Sequence, residues 1–201
     1  MNPRVLMALV LVSASAFAAV LVAAARLEDE PRAGEGPRRF EGATLPRGLR
    51  APDFALRDQD GERVAMRSLR GRPVLVTFLY TECEETCPSQ AQQVRAAFDE
   101  LGRDVPALAV AVDPARDTPE RARAFLSKQR MTGRMRFVLG SSDQLRPVWG
   151  AFAVEPQRDD LEHTGRFVLV DPAGVQRVSF PIDQATPERL AHDLRLLAAG
   201  A

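Results

Sequence analysis

The stretch that most restricts the fold is an uncharged, almost wholly apolar run, Val74-Leu75-Val76-Thr77-Phe78-Leu79. A short run of this kind, rich in β-branched and aromatic side chains, reads as a strand buried on both faces. It passes without a break into Tyr80-Thr81-Glu82-Cys83-Glu84-Glu85-Thr86-Cys87-Pro88. Beyond Pro88, apolar residues recur at Ala91, Val94, Phe98 and Leu101, the spacing of one helix face. The two cysteines of the 201-residue chain, Cys83 and Cys87, therefore sit between a central strand and a helix start.

A buried strand that hands two thiols to a helix start is a thioredoxin-like arrangement, here with one extra residue between the thiols. The rest of the chain can be built around it. Asp58-Gln59-Asp60-Gly61 and Asp171-Pro172-Ala173-Gly174 each separate two short strand patterns and predict hairpins. Val105 to Val112 and Arg136 to Leu139 read as further strands, and 142–152 as a helix around Leu145, Val148 and Trp149. Thr118-Pro119-Glu120 and Thr186-Pro187-Glu188 both pair an N-cap threonine with a first-turn proline. Ala122, Phe125 and Leu126 mark the core face of the first of these helices, and Leu190, Leu194 and Leu197 that of the second. The prediction is an α/β domain over residues 49–201, a thioredoxin-like mixed sheet flanked by helices. A domain of that size buries enough surface to fold without a disulfide or a metal, which leaves the cysteines for function.

Ahead of the domain, Val5 to Ala25 carries no charge for 21 residues. As a helix this spans about 31 Å, close to the roughly 30 Å hydrocarbon core of a bilayer. Arg4 precedes the run and Glu28-Asp29-Glu30 follows it, which places the N-terminus inside and the domain outside. The run is long for a signal peptide, so residues 1–27 read as an uncleaved transmembrane helix rather than one removed after Ala23-Ala24-Ala25. Residues 28–48, rich in Pro, Gly, Arg and Glu, read as a tether. The setting this predicts is the bacterial inner membrane, with the domain in the periplasm, where thiols meet oxidants.

Pro88 suits a first helical position, which would make Cys87 the N-cap and favour its thiolate through the helix dipole. Glu82, Glu84 and Glu85 disfavour a free thiolate but attract a cation that replaces the thiol protons. That shifts the reading from a redox nucleophile toward a soft-metal site, for which imidazole is the natural third donor. There are two histidines. His163 lies in a polar loop just before a strand, 76 residues after Cys87 (163 − 87), where a sheet neighbour could bring it to the end of strand 73–79. His192 sits off the Leu190/Leu194/Leu197 stripe and reads as a surface residue.

Taken together, Tyr80 to Pro88, Val112-Asp113-Pro114-Ala115-Arg116-Asp117-Thr118-Pro119-Glu120 and His163-Thr164-Gly165-Arg166-Phe167 resemble the Sco (SenC) family of copper chaperones for cytochrome c oxidase assembly. The resemblance runs in order over roughly residues 49–199 and extends to the N-terminal anchor. It implies a thioredoxin-like fold and one copper ion held by Cys83, Cys87 and His163. Where the family often has Pro after the first cysteine this chain has Glu84, and where it often has Asp before the histidine this chain has Glu162. Both changes keep or add negative charge, so they bear on affinity and redox tuning rather than ligand identity. Asp113 and Asp117 read as turn and capping residues, not ligands.

The leading expectation is a membrane-tethered copper metallochaperone that delivers copper to the binuclear site of an oxidase subunit. Its partners would be that copper-accepting subunit and a copper donor or thiol reductant. The alternative is a thiol–disulfide reductase that keeps the subunit's cysteines reduced, using Cys83 and Cys87 without His163. A peroxidase fits less well, because the acidic flanks oppose a strongly activated single thiol. A net charge of zero argues against nucleic-acid binding. The stretch from Arg116 to Arg136 carries seven basic residues against Asp117 and Glu120, and reads as a solvated helix face that could also meet an acidic partner.

Overall fold

The computed structural model describes residues 39–157 and 165–200. Its elements run β1 (Ala43–Thr44), β2 (Ala55–Arg57), β3 (Arg63–Ala65), β4 (Val74–Leu79) and α1 (Thr86–Leu101). They continue through β5 (Ala107–Ala111), α2 (Pro119–Lys128), β6 (Arg136–Val138) and α3 (Ser142–Ala151), and close with β7 (Arg166–Val170), β8 (Gln176–Pro181) and α4 (Pro187–Ala198). Six of the strands form one mixed sheet in the order β1-β8-β7-β4-β5-β6, while β2 and β3 pair as a separate hairpin.

β4 has a neighbour on each side, parallel β5 and antiparallel β7, and all six of its residues are buried. That is why its sequence lacks the polar alternation of a half-exposed strand. The polar exception, Thr77, is satisfied on the helix side, where its hydroxyl donates to the Gln90 side chain of α1 at 2.6 Å. Its neighbour Phe78 points to the opposite face and meets Phe152, just past α3, with ring centroids 5.5 Å apart. Register then assigns the remaining helices. Thr77 is paired with Ala109 and Ala109 with Phe137, so Phe137 shares the Thr77 face, and there it meets Phe125 of α2. α4 packs against α1 on this side. The two crossovers β4–α1–β5 and β5–α2–β6 step the same way across the sheet, and their common handedness places α1 and α2 on one face. With α3 behind, the sheet is flanked on both faces as predicted, and the fold is thioredoxin-like.

Both predicted hairpins and both Thr-Pro helix starts are present. Thr118 accepts from the Arg121 backbone N–H and Thr186 from that of Arg189, each at 3.3 Å. The main sheet, however, begins before the predicted domain boundary at residue 49. Ala43 and Thr44 pair with Ser179 and Val178 as an edge strand of the main sheet. The preceding backbone is held by the buried Asp193 carboxylate of α4, which accepts from the Glu41 and Gly42 N–H groups at 2.9 and 3.0 Å. Gly42 is required at this crossing, since a Cβ would sit 2.4 Å from Val178 Cγ1. The pairing is made by main-chain groups and the hold before it by a carboxylate 151 and 152 residues away, which local composition does not register. The predicted transmembrane helix lies outside the described residues, among which no helix is long and apolar enough to cross a membrane.

Candidate metal centre

The chain leaves β4 at Leu79, whose carbonyl still accepts from Val112 N–H at 3.0 Å, and turns at once, with Cys83 N–H directed at the Tyr80 carbonyl at 3.4 Å. The turn is fastened by a residue from the next crossover. Asp117 is buried, and one carboxylate oxygen accepts from the Thr81 N–H and hydroxyl at 2.7 and 2.8 Å. Its other oxygen accepts from Asp113 N–H at 3.2 Å. Burial outweighs these donors and raises the carboxyl to about 6. Sequence reading placed Asp117 as a capping residue; the N-cap is Thr118, and Asp117 instead joins the α2 crossover to the cysteine loop. The signal available was an acid between Arg116 and the cap, which by itself does not say where the carboxylate points.

α1 begins one residue before Cys87. Thr86 is its first residue, Cys87 its second and Pro88 its third, and Glu85 occupies the N-cap position without a side-chain cap bond. The predicted capping role of Cys87 is therefore corrected, and the electrostatics of the pair change with it. Cys83 Sγ is the atom that caps: it accepts from the Cys87 backbone N–H at 3.1 Å and lies 3.1 Å from the Thr86 hydroxyl. The Cys87 thiol above all holds the Cys83 thiol well below the ordinary range, against the opposing effect of burial. Cys87 moves the other way, pushed up by the Cys83 sulfur and by burial. The thiolate preference expected for Cys87 belongs to Cys83, on whose sulfur the Cys87 thiol, the Thr86 hydroxyl and the helix N–H all act. Both thiols are free, Cys83 being 8% exposed and Cys87 0%.

The three neighbouring glutamates do not act as one cluster. Glu82 is drawn into ion pairs with Arg121 and Arg116, while Glu84 and Glu85 are exposed and carry no ion pair among the described residues. Cys83 opens on a hollow of about 330 Å³ whose wall includes Pro88, Ala124, Phe125 and Lys128. A hollow of about 370 Å³ between the β2–β3 hairpin and α3 shares none of these residues and offers no thiol, carboxylate or imidazole.

His163 lies outside the described residues. Among those described, no third His, Cys, Asp or Glu joins the two sulfurs. The described chain resumes at Gly165, against Gln90, one turn beyond Cys87 on α1. Gln90 is fully buried and its amide nitrogen has no partner among the described residues; a Cβ on Gly165 would stand 3.3 Å from that nitrogen. Sequence reading gave neither Gln90 nor Thr77 a part, because a polar residue inside an apolar pattern does not disclose its partner. His192 is a surface residue, 43% exposed and hydrogen-bonded to Asp193 at 2.9 Å.

A family model described as SCO1/SenC matches residues 43–199. Protein SenC of Rhodobacter capsulatus is 30% identical over 148 residues, which are 69% of this chain and 66% of that protein. Matches to related sequences span between 42% and 72% of their lengths. Among solved structures, copper-bound ScoI of Bradyrhizobium japonicum superposes with a TM-score of 0.58 at 29% identity, covering 78% of this chain and 98% of that one. Apo Sco1 of Thermus thermophilus gives 0.68 at 25% identity, over 79% and 97% of the two chains. With a two-thiol loop at the end of the central strand and the family match running from β1 to α4, this chain belongs to the SCO1/SenC family.

Proposed function

We propose that the protein is a membrane-tethered copper metallochaperone that takes up copper and passes it to the binuclear copper site of a cytochrome c oxidase subunit. The observation that carries the reading is the sulfur pair: two free thiols, one slightly exposed and one buried, joined through one helix start. Soft thiolates at this spacing suit copper(I), and the copper-bound relative at 29% identity supports the same cargo. Cys83 and Cys87 would supply the thiolates and His163 the imidazole. Copper takes the place of the thiol protons, the Cys87 proton being the one more tightly held. Tethering through residues 5–25 would keep the carrier on the periplasmic face of a bacterial inner membrane, beside its acceptor. The acceptor must offer thiol ligands of its own, since stepwise ligand exchange lets a tightly held soft ion leave.

One observation favours a second activity of the same pair. A thiolate-favoured, accessible Cys83 beside a buried, protonated Cys87 has the asymmetry of a nucleophile and a resolving thiol. Cys83 would attack a partner disulfide and expel one partner thiolate. Cys87 would then displace the second, leaving the Cys83–Cys87 disulfide for a thiol reductant to reopen.

The two readings separate in one titration. The full chain in mild detergent is reduced without oxygen and loaded with copper under chelator competition, as wild type, Cys83→Ala, Cys87→Ala and His163→Ala. One tightly held copper, lost in both cysteine variants and weakened in His163→Ala, supports the carrier. Failure of the wild type to hold copper, with the dithiol still reducing a disulfide probe, would sink it in favour of the reductase.

A further inference from the structure

The seven basic residues between Arg116 and Arg136 are not an open cationic face. Arg116 and Arg121 pair with Glu82, and Arg116 also with Asp113. Arg123 pairs with Glu120, Arg134 with Asp99 and Asp104, and Arg136 with the buried Asp58. Only Lys128 and Arg130 are left without an ion pair among the described residues. Lys128, the single lysine of the chain, is also the unpaired cation beside the sulfur. It lines both the hollow of about 330 Å³ and a more open one of about 610 Å³, and both open on Cys83.

The smaller hollow has a definite chemistry. Its apolar lining is Pro88, Ala124 and Phe125, and Cys83 lines it too. Of its charged residues, Glu82 and Arg121 neutralise each other, which leaves Lys128 as the uncompensated charge. The larger hollow adds Glu84 and has no such excess of positive charge. We infer that the smaller hollow is the docking groove for the acceptor. Its occupant is a cysteine-bearing peptide segment that places its sulfur at Cys83, an apolar side chain on Phe125 and a carboxylate on Lys128. The inference rests on the transfer role proposed above and adds to it the recognition chemistry: an acidic, thiol-bearing segment is preferred. An exposed charge at a groove rim acts mainly on encounter and register, so its signature is a salt-sensitive rate.

The test uses two short peptides, each with one cysteine capped as a mixed disulfide by a chromophoric thiol, flanked by glutamates in one and by lysines in the other. In the reduced full chain the Cys83 thiolate attacks the peptide sulfur, the probe disulfide breaks, and the capping thiolate leaves and is read by absorbance. Wild type should react with the acidic peptide about fivefold faster than with the basic one at low salt, with the preference fading at high salt. Lys128→Glu should reverse the order and Lys128→Gln should level it. Arg130→Glu, the same charge change away from the groove, should leave it as in wild type. An unchanged preference in Lys128→Glu, a wild-type preference for the basic peptide, or no exchange with either probe would overturn the inference. Copper loading measured on the same samples keeps the two ideas apart. Normal loading with no peptide preference removes the groove alone. A peptide preference without loading removes the copper carrier and leaves an acidic-substrate reductase.

Discussion

Asp117→Asn tests whether a buried carboxylate from the second crossover holds the cysteine loop. Its folded carboxyl is raised from an ordinary value of 3.8 to about 6, first because it is buried and only then relieved by the Thr81 and Asp113 donors. A raised folded value means that the native state binds this proton more tightly than the unfolded chain does. The resulting stability is fully present below about pH 4 and is lost as the pH rises through about 6. About two units at 1.36 kcal/mol each amount to roughly 3 kcal/mol. Asparagine carries no such titration. It also has one acceptor where aspartate has two, so Asp113 N–H loses its partner, a deficit of about 1 kcal/mol at every pH. The stability of wild type relative to Asp117→Asn should therefore fall by about 2.4 kcal/mol between pH 4 and pH 7, on top of that constant offset. Urea unfolding followed by the fluorescence of Trp149, the single tryptophan and a buried one, reads both quantities, since the other carboxylates titrate alike in both proteins. A difference that stays within about 1 kcal/mol over the range, or grows with pH, would refute the burial argument.

Two further outcomes follow from the sulfur pair and its support. Iodoacetamide should label Cys83 and spare the buried Cys87 in the native reduced protein, as peptide mapping can check. Labelling should slow little between pH 8 and 6, where an ordinary thiol slows roughly a hundredfold. In Cys87→Ala, which removes the largest influence lowering the Cys83 thiol, the ordinary pH dependence should return; a persistently flat profile would argue against that influence. Thr77→Val leaves the buried Gln90 carbonyl without its donor and should cost about 1–3 kcal/mol in urea unfolding. Adding Gln90→Leu should recover part of that loss, whereas simple additivity of the two changes would show that the pair is not coupled.

Much of the fold was legible because its signals are local. The apolar run of β4, the period of α1, the Thr-Pro helix starts and the two Asp-to-Gly hairpin turns each express a short-range preference that tertiary packing did not overturn. The site was legible as a pair of residues, but its internal order was not. Pro88 suggested a helix start two residues too late (88 against 86), and the error moved the favoured thiolate from Cys83 to Cys87. A helix boundary depends on which acceptor takes the first N–H groups, and here that acceptor is the sulfur of Cys83 itself. β1 was hidden for a related reason: it pairs with β8 through main-chain bonds, and the Glu41 and Gly42 N–H groups before it are held by the Asp193 side-chain carboxylate, all across the fold and made by residues whose composition reads as linker.

By itself, then, the sequence determined the fold class, the strand that carries the thiols and the identity of the two sulfurs, since these follow from periodicity, turn chemistry and motif. Tertiary structure alone decided which sulfur is accessible, which is favoured as thiolate, and what holds the loop between them. It also decided which charges remain: of seven basic residues in one stretch, five are paired with acids brought from elsewhere in the fold or from their own helix turn, and among the described residues Arg130 and Lys128 are left, Lys128 in the hollow that Cys83 lines. Charge along a sequence can be counted, but its effect depends on distance and burial, which exist only once the chain is folded.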